Sequence, residues 1–406
     1  MISRRRFFLL CASTWASLLS AACGVRPAPR GTATPTAGRD VPAAPVAQAP
    51  TPTARPEGPR VTPRATEEPV KRGPVFLTEA RLDALRQRVA DRVQPTYAAY
   101  QVVRRVAARQ VGRVPHAPEM WYVPGYYRDA EGHSTAKRGL QDDANAAYAL
   151  ALHYRMSGEE RYAEAAARLI DGWAGGVKQM RTQDDSMLSF SYHFPALILA
   201  ADLIQGFHGW PAARQEAFGQ FLRAEALPMN TMARKNNWGN WGLVLVMACA
   251  AWLCDDELLQ RGVTRWKEFV DRQIAEDGHL PHEVHRNNGR GERGIWYTHF
   301  SLMPQTLAAE IARANGVDLY DYVSPNGRTL RQAFERVAPW ARAPETFPYF
   351  QGDDPQEQKG TDYVSYFEIL NARWPNDDAT AMLGEMRPLT VNHCAPHLTF
   401  THGNLL

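Results

Sequence analysis

Apolar residues recur at helical spacing in one run after another, and the breakers between the runs are short. The runs are Leu77–Val111, Ala144–Met156, Glu159–Trp173, Phe194–Phe207, Ala212–Ala226, Trp241–Cys254, Asp256–Ile274, Phe300–Asn315 and Thr329–Trp340. Strong helix formers fill them, and Ser157-Gly158 shows the kind of break between them. Convincing stretches of alternating Val, Ile and Thr are absent. Helices of this length with short connections must lie antiparallel to their sequence neighbours. The prediction is a mainly α protein, an incomplete (α/α) toroid of antiparallel hairpins whose inner helix ends and loops form a cleft. An irregular bundle or a solenoid are the alternatives. No fixed sequence period supports the solenoid.

The N-terminal residues read as an address. Ser3-Arg4-Arg5-Arg6-Phe7-Phe8-Leu9 resembles a twin-arginine export signal, and the apolar stretch that follows is short and rich in small residues. It ends in Leu19-Ser20-Ala21-Ala22-Cys23, which resembles a lipoprotein cleavage site with Cys23 as the lipidated residue. Residues 24–74 are rich in Pro, Ala, Thr and Arg and nearly devoid of large apolar side chains, so they cannot offset their ordering entropy. As a semi-extended tether at ~3.1 Å per residue, they would reach on the order of 100 Å. The expected organisation is an export signal over 1–23, a disordered linker over 24–74 and one helical domain over 75–406. The expected location is the outer side of the cytoplasmic membrane, the periplasm or beyond, with membrane contact only through the lipid.

Composition narrows the function. A formal charge of +3 and the lack of any long basic block give no reason to expect nucleic acid. Eleven tryptophans and fifteen tyrosines are a heavy aromatic load, to be divided between core packing and sugar stacking. Of five cysteines, Cys249, Cys254 and Cys394 fall in the folded part, without a metal-binding pattern. Cys249 and Cys254 sit in an apolar helical run and are expected as buried thiols, with a bridge to Cys394 as the alternative. His279, His282 and His285 recur every third residue, but no cysteine or fourth ligand accompanies them. Neither metal nor other cofactor is expected.

Two stretches read as long polar loops. Val114–Gly139 carries Trp121, Tyr122, Tyr126, Tyr127, Arg128, His133, Lys137 and Arg138. Glu276–Gly294 carries His279, His282, Glu283, His285, Arg286, Asn287, Asn288, Arg290 and Arg293. Loops of this length inside a compact domain tend to serve function. Between and beside them stand two dense clusters, Asn236-Asn237-Trp238-Gly239-Asn240-Trp241 and Arg290-Gly-Glu-Arg293-Gly-Ile-Trp-Tyr297-Thr-His299.

The second cluster resembles the tyrosine segment of the alginate lyase superfamily, in which an arginine precedes a catalytic tyrosine by seven residues and an apolar helix follows. Asp277-Gly278-His279-Leu280-Pro281-His282-Glu283 resembles the family's Asp-Gly-x-x-Pro-x-Glu turn. Asn236-Asn237-Trp238 resembles its Asn-Asn-His segment, and Ala144–Trp173 its first helical hairpin. The resemblance covers roughly residues 75–375. It implies an α/α toroid and β-elimination of a 1,4-linked uronate polymer, an acidic polysaccharide, by a polysaccharide lyase.

The residues agree with that chemistry. The C5 proton of a uronate is acidic only when the neighbouring carboxylate is neutralised and the developing charge stabilised. Asn237 is the carried-over candidate for that role. Tyr297 is the candidate base and acid, and Arg290 and Arg293 are the candidates to lower its pKa from about 10. Trp238 stands where the family has histidine, which removes a possible second base. In mannuronate and glucuronate the C5 hydrogen and the O4 bond share a ring face, so one tyrosine can serve as base and acid in turn. In guluronate they lie on opposite faces. The expectation is therefore syn elimination on a mannuronate- or glucuronate-containing polymer.

Further site candidates are His193, as a substitute histidine at the start of a helix, and His299, as a cleft wall. Asn236, Trp238, Trp241, Tyr126, Tyr127, His133 and Glu283 are candidates to contact the sugar. Plainer readings stand beside these. Asn236 and Asn237 can cap a helix. The tryptophans and histidines can be core, and the arginines solvated charges. Two other functions remain in play, a glycoside hydrolase using a pair among Asp142, Asp143, Asp184, Asp185 and Glu283, and a non-catalytic glycan-binding lipoprotein. A monomer is expected.

Overall fold

The structure, a computed structural model, describes residues 73–286, 289–351 and 361–405. The expected export signal, Cys23 and residues 24–72 of the linker lie outside the described residues, as do Asn287 and Asn288.

Fifteen α-helices follow one another among the described residues: α1 (Glu79–Ala90), α2 (Thr96–Gln110), α3 (Ala130–Ser157), α4 (Glu160–Gly176), α5 (Ser186–His193), α6 (Pro195–Leu203), α7 (Ala212–Phe221), α8 (Asn237–Leu253), α9 (Asp256–Gln273), α10 (Pro281–Val284), α11 (Gly294–Ala314), α12 (Leu330–Arg342), α13 (Phe367–Arg373), α14 (Asp377–Met386) and α15 (Leu398–His402). The only strands described are β1 (Met120–Trp121) and β2 (Gln179–Met180), paired in parallel.

Local chemistry explains the boundaries. Asp129 caps α3 by accepting from the Gly132 N–H at 2.8 Å, and Gly158 ends the helix in the left-handed conformation (φ 73°). Asp255 caps α9 and Thr329 caps α12 in the same way as Asp129. Pro304 lies inside α11, where it withholds one backbone donor, yet the helix runs on because its surroundings are packed on all sides.

Burial separates two layers. Almost every residue of α6, α8 and α11 is buried, whereas α4, α9 and α12 bury one face and expose the other. Within this arrangement α8 packs on α11, α9, α5 and α6, and α3 packs on α2, α4 and α6. This is the (α/α) toroid expected from the sequence, with apolar inner helices ringed by amphipathic outer ones. Six tryptophans (Trp121, Trp173, Trp210, Trp241, Trp252 and Trp266) are fully buried, so core packing takes at least half of the indoles.

The structure corrects the first polar loop. Only residues up to Asp129 are irregular; α3 begins at Ala130, so His133, Lys137 and Arg138 are helical. The helix starts 14 residues before the apolar run at Ala144 because Asp129 caps it and its first turns are solvated. Leu77–Val111 divides into α1 and α2, which Asp91–Pro95 separates. Cys249 and Cys394 are buried free thiols, while Cys254 is exposed at the left-handed end of α8 (φ 53°), contrary to expectation.

Candidate active site

Three elements meet around Tyr297: the first turn of α11, the N-terminus of α8, and the segment that carries α10. Their close approach depends on glycine. A Cβ on Gly294 would lie 2.3 Å from the Val284 carbonyl oxygen, and one on Gly239 would lie 2.1 Å from that of Arg234. Asn236 caps α8 by accepting from the Trp238 N–H at 3.3 Å.

Asn237, the next residue, is buried. Its backbone N–H donates to Glu283 Oε1 at 2.8 Å, and its Nδ2 donates to Oε1 and Oε2 at 3.1 and 2.9 Å. Both amide hydrogens are thus spent on Glu283, and the Asn237 side-chain oxygen is buried without a partner among the described residues. The expected donation to a uronate carboxylate is not what this arrangement offers. Glu283 is itself buried, so it braces Asn237 from behind and does not touch sugar. Burial pushes its pKa up to about 7, against the pull of the Asn237 hydrogen bonds and the Arg286 charge.

Tyr297 is half-buried, and its hydroxyl lies 2.7 Å from that of the exposed Tyr127. The Arg286 guanidinium lies 4.2 Å from its ring centre. Burial and the hydrogen bond to Tyr127 push the Tyr297 pKa up to about 12, and Arg286 opposes them. The expected depression is therefore overturned for the resting site, because desolvation of a phenolate outweighs one guanidinium.

The arginine beside the tyrosine is not one of the two expected. Arg290 is exposed, with its guanidinium 3.4 Å from the Glu292 carboxylate. Arg293 is exposed and lies 6.0 Å from the Tyr126 ring centre. Sequence spacing favoured them because they precede the tyrosine closely. The chain instead folds back through α10, which brings Arg286 over the ring, and only its membership of a polar loop hinted at this.

Tyr127 is carried by a strap over residues 114–129. The β1–β2 pairing, Trp121 Nε1 donating to the Ser186 carbonyl at 3.0 Å, and the Tyr126 N–H donating to Asp185 Oδ2 at 2.8 Å fasten it. His133 is buried beneath the strap. Its Nδ1 lies 3.0 Å from the Pro124 carbonyl oxygen and 3.2 Å from Asp185 Oδ2, so it holds the strap and does not face the sugar. Tyr126 is exposed, edge-on to both Tyr127 and His133.

Three other expectations are corrected by burial. Trp241 is fully buried against Tyr192, Phe300 and His393 and forms core. His299 is fully buried with Nδ1 2.9 Å from the Tyr366 hydroxyl, and burial lowers its pKa to about 3. His193 is buried, stacked on His393 at 5.2 Å between ring centres, and held neutral by desolvation. Trp238 remains half-buried, with the Arg234 guanidinium 5.4 Å from its ring centre. Among the described residues no three of His, Cys, Asp and Glu gather closely enough to hold a metal; His279 pairs with Asp277.

Side-chain contacts around Tyr297 close into a circuit. From the Tyr127 hydroxyl it runs to Tyr126 (5.5 Å between ring centres) and then to His133 (5.5 Å), which precedes Lys137 by four residues on α3. Lys137 Nζ donates to the Tyr192 hydroxyl at 3.3 Å, and Tyr192 packs on His393 (4.7 Å). His393 meets Tyr363 (4.9 Å), Tyr363 meets Trp296 (4.9 Å), and Trp296 returns to Tyr297 (4.7 Å). Aromatic faces, cations and one phenol pair on a toroid of helices are suited to an acidic sugar polymer.

The profile of the family described as alginate lyase matches residues 81–347, which includes every helix of this site except the C-terminal segments. The chain belongs to the alginate lyase family. A polysaccharide lyase of Stenotrophomonas maltophilia is 29% identical over 140 residues, covering 34% of this chain and 40% of its own length. An alginate lyase of Pseudomonas fluorescens is 31% identical over 121 residues, covering 30% of each chain. The matched segment thus spans less than half the length of these curated relatives. Two solved structures share the fold over more of the chain. An alginate lyase from Bacteroides ovatus has a TM-score of 0.61 at 18% identity, covering 81% of this chain and 99% of its own. Alginate lyase A1-III from Sphingomonas species A1 has a TM-score of 0.64 at 20% identity, covering 79% and 94%.

Proposed function

We propose that the protein is a polysaccharide lyase that cleaves a 1,4-linked polyuronate, polymannuronate or glucuronan, by syn β-elimination. The observation that carries this reading is the Tyr297–Tyr127 phenol pair with Arg286 over the Tyr297 ring. In the proposed reaction a sugar displaces the Tyr127 hydroxyl and leaves Arg286 as the main influence on Tyr297. The Tyr297 phenolate removes the C5 proton, the C4–C5 double bond forms, and the C4–O4 bond breaks. The same phenol then returns the proton to O4. Arg286 offsets the carboxylate charge while the enolate develops. The family membership and the names of the relatives support the reaction class. The absence of a histidine at Trp238 supports the syn geometry.

The acids needed by a glycoside hydrolase are committed elsewhere. Asp143 is buried and bound by Arg113, the His116 N–H and Trp173. Asp184 accepts from Tyr122 and Arg128, Asp185 holds His133 and the Tyr126 N–H, and Glu283 holds Asn237. No free pair is left among these to flank a glycosidic bond.

The test is growth of unsaturated-uronate absorbance on polymannuronate, glucuronan and polyguluronate, with wild type beside Tyr297→Phe. Turnover of the first two, lost in the variant, is expected. Cleavage of polyguluronate alone, or near-wild-type turnover by Tyr297→Phe, overturns the mechanism. We also propose export with a lipid anchor at Cys23. Cys23→Ala should release the protein from the membrane fraction, and unchanged fractionation refutes the anchor.

A further inference from the structure

Lys137 is a cation with no ion-pair partner among the described residues. It sits on α3, half-buried, and desolvation lowers its pKa. Its hydrogen bond goes to a neutral phenol, Tyr192, and its ammonium lies 5.5 Å from that ring's centre. Among the described residues no carboxylate lies within ion-pair distance of it. Asp185, whose charge acts on it, is already bound to His133 and to the Tyr126 N–H. A partly desolvated ammonium without an anion costs free energy. The arginines of this protein mostly avoid that cost, as Arg113 does with Asp143, Arg313 with Glu310 and Arg387 with Glu368.

The position gives the cost a purpose. Lys137 stands apart from Tyr297, linked to it through Tyr192 and Phe300, whose ring centres lie 5.8 Å apart, with Phe300 6.5 Å from the Tyr297 ring centre. Arg286 serves the reacting sugar next to Tyr297. A polyuronate presents one carboxylate per residue, so an extended chain on this circuit brings a second carboxylate to a second place. Between the two cations Trp296 and Tyr363 are partly exposed and can meet the sugar ring in between, over the buried Tyr192 and His393.

We propose that Lys137 is a specificity-determining residue whose ammonium pairs with the carboxylate of a uronate neighbouring the one cleaved. This rests on the polyuronate reading above. The ammonium then selects for polymers charged at consecutive residues, and it contributes to binding without touching the reacting atoms.

The experiment measures binding of a mannuronate tetrasaccharide by calorimetry to full-length protein carrying Tyr297→Phe, which removes turnover. Lys137, Lys137→Met and Lys137→Arg are compared at low and high salt, alongside their melting temperatures. A charge-assisted hydrogen bond of about 1.5–3 kcal/mol predicts a Kd at least about 10-fold weaker in Lys137→Met, with a smaller salt dependence. Lys137→Arg should restore most of the affinity. The melting temperature of Lys137→Met should be unchanged or higher, because a half-buried charge with no ion-pair partner among the described residues has been removed. An unchanged Kd in Lys137→Met overturns the proposal and leaves the lyase reading standing. A weaker Kd with a lower melting temperature and no rescue by arginine assigns Lys137 a structural role and also overturns it. Failure of the Lys137 protein to bind the tetrasaccharide removes both this proposal and the mannuronate reading.

Discussion

Glu283 ties the stability of the site to pH. Its folded-state pKa is raised from 4.5 to about 7, chiefly by burial. A raised carboxyl pKa means that the native state binds the proton more tightly than the unfolded chain. Its stabilising effect is therefore fully present below pH 4.5 and is lost as pH rises through 7. The shift of roughly 2.5 units, at about 1.36 kcal/mol per unit, amounts to about 3 kcal/mol across that window. Glu283→Gln keeps the shape and removes the titration. Its carbonyl oxygen can take the place of Oε1 and accept from the Asn237 N–H and Nδ2, while its amide nitrogen in the place of Oε2 meets Nδ2, a donor facing a donor. Urea unfolding at pH 5 and pH 8 measures the difference. Glu283→Gln should be near wild type or slightly weaker at pH 5. It should gain up to about 3 kcal/mol relative to wild type at pH 8. A difference between the two proteins that does not change with pH, or that changes in the opposite sense, refutes the argument that desolvation dominates at Glu283.

Other outcomes follow from the same geometry. Tyr127→Phe removes the hydrogen bond that raises the Tyr297 pKa, so the ascending limb of kcat/KM against pH should move down by up to about one unit, the size of one neutral hydrogen bond. A shift upward would show that Tyr127 instead supports the phenolate, and no shift would show that it does not hold the Tyr297 proton. Trp241→Ala should lower unfolding free energy by about 3–5 kcal/mol by denaturant titration, since the indole is fully buried among Tyr192, Phe300 and His393. A disulfide reagent should modify Cys254 in the native protein while Cys249 and Cys394 stay protected, because both are buried with thiol pKa values pushed up by desolvation. Protection of Cys254 in a comparison with Cys254→Ser would contradict its exposure.

Helical period and short breakers were enough to foresee the toroid, because inner and outer helices differ in how much of their circumference is apolar and that difference is written along the chain. Tyr297 and the Asn237 segment were legible for another reason: each opens a helix directly after a dense polar motif. Arg286 was not legible. Its contact with Tyr297 depends on how residues 279–293 fold around α10 and on Gly294 allowing Val284 to approach, and neither has a local signature. Trp241 and His299 were misplaced by proximity. His299 lies about 200° around α11 from Tyr297 and so faces the core, whereas Trp241 shares the face of Trp238 but sits one turn deeper in α8, where the helix is buried all round. The strap error has the opposite cause, since α3 starts with solvated turns that carry no apolar period.

Arg286 couples the two halves of the site. It opposes the raised pKa of Tyr297 through its hydrogen bond and charge, and it opposes the raised pKa of Glu283 by charge alone. One guanidinium therefore faces two groups that both become anions as pH rises. When Glu283 ionises near pH 7, its charge competes with the phenolate for Arg286, so that Tyr297 becomes harder to deprotonate in the range where a base is wanted. The Asn237 hydrogen bonds to both Glu283 oxygens favour that ionisation, since they pull the Glu283 pKa down against the effect of burial. In the proposed mechanism Asn237 therefore sets the pH at which Glu283 ionises, and with it how far Arg286 is left to Tyr297.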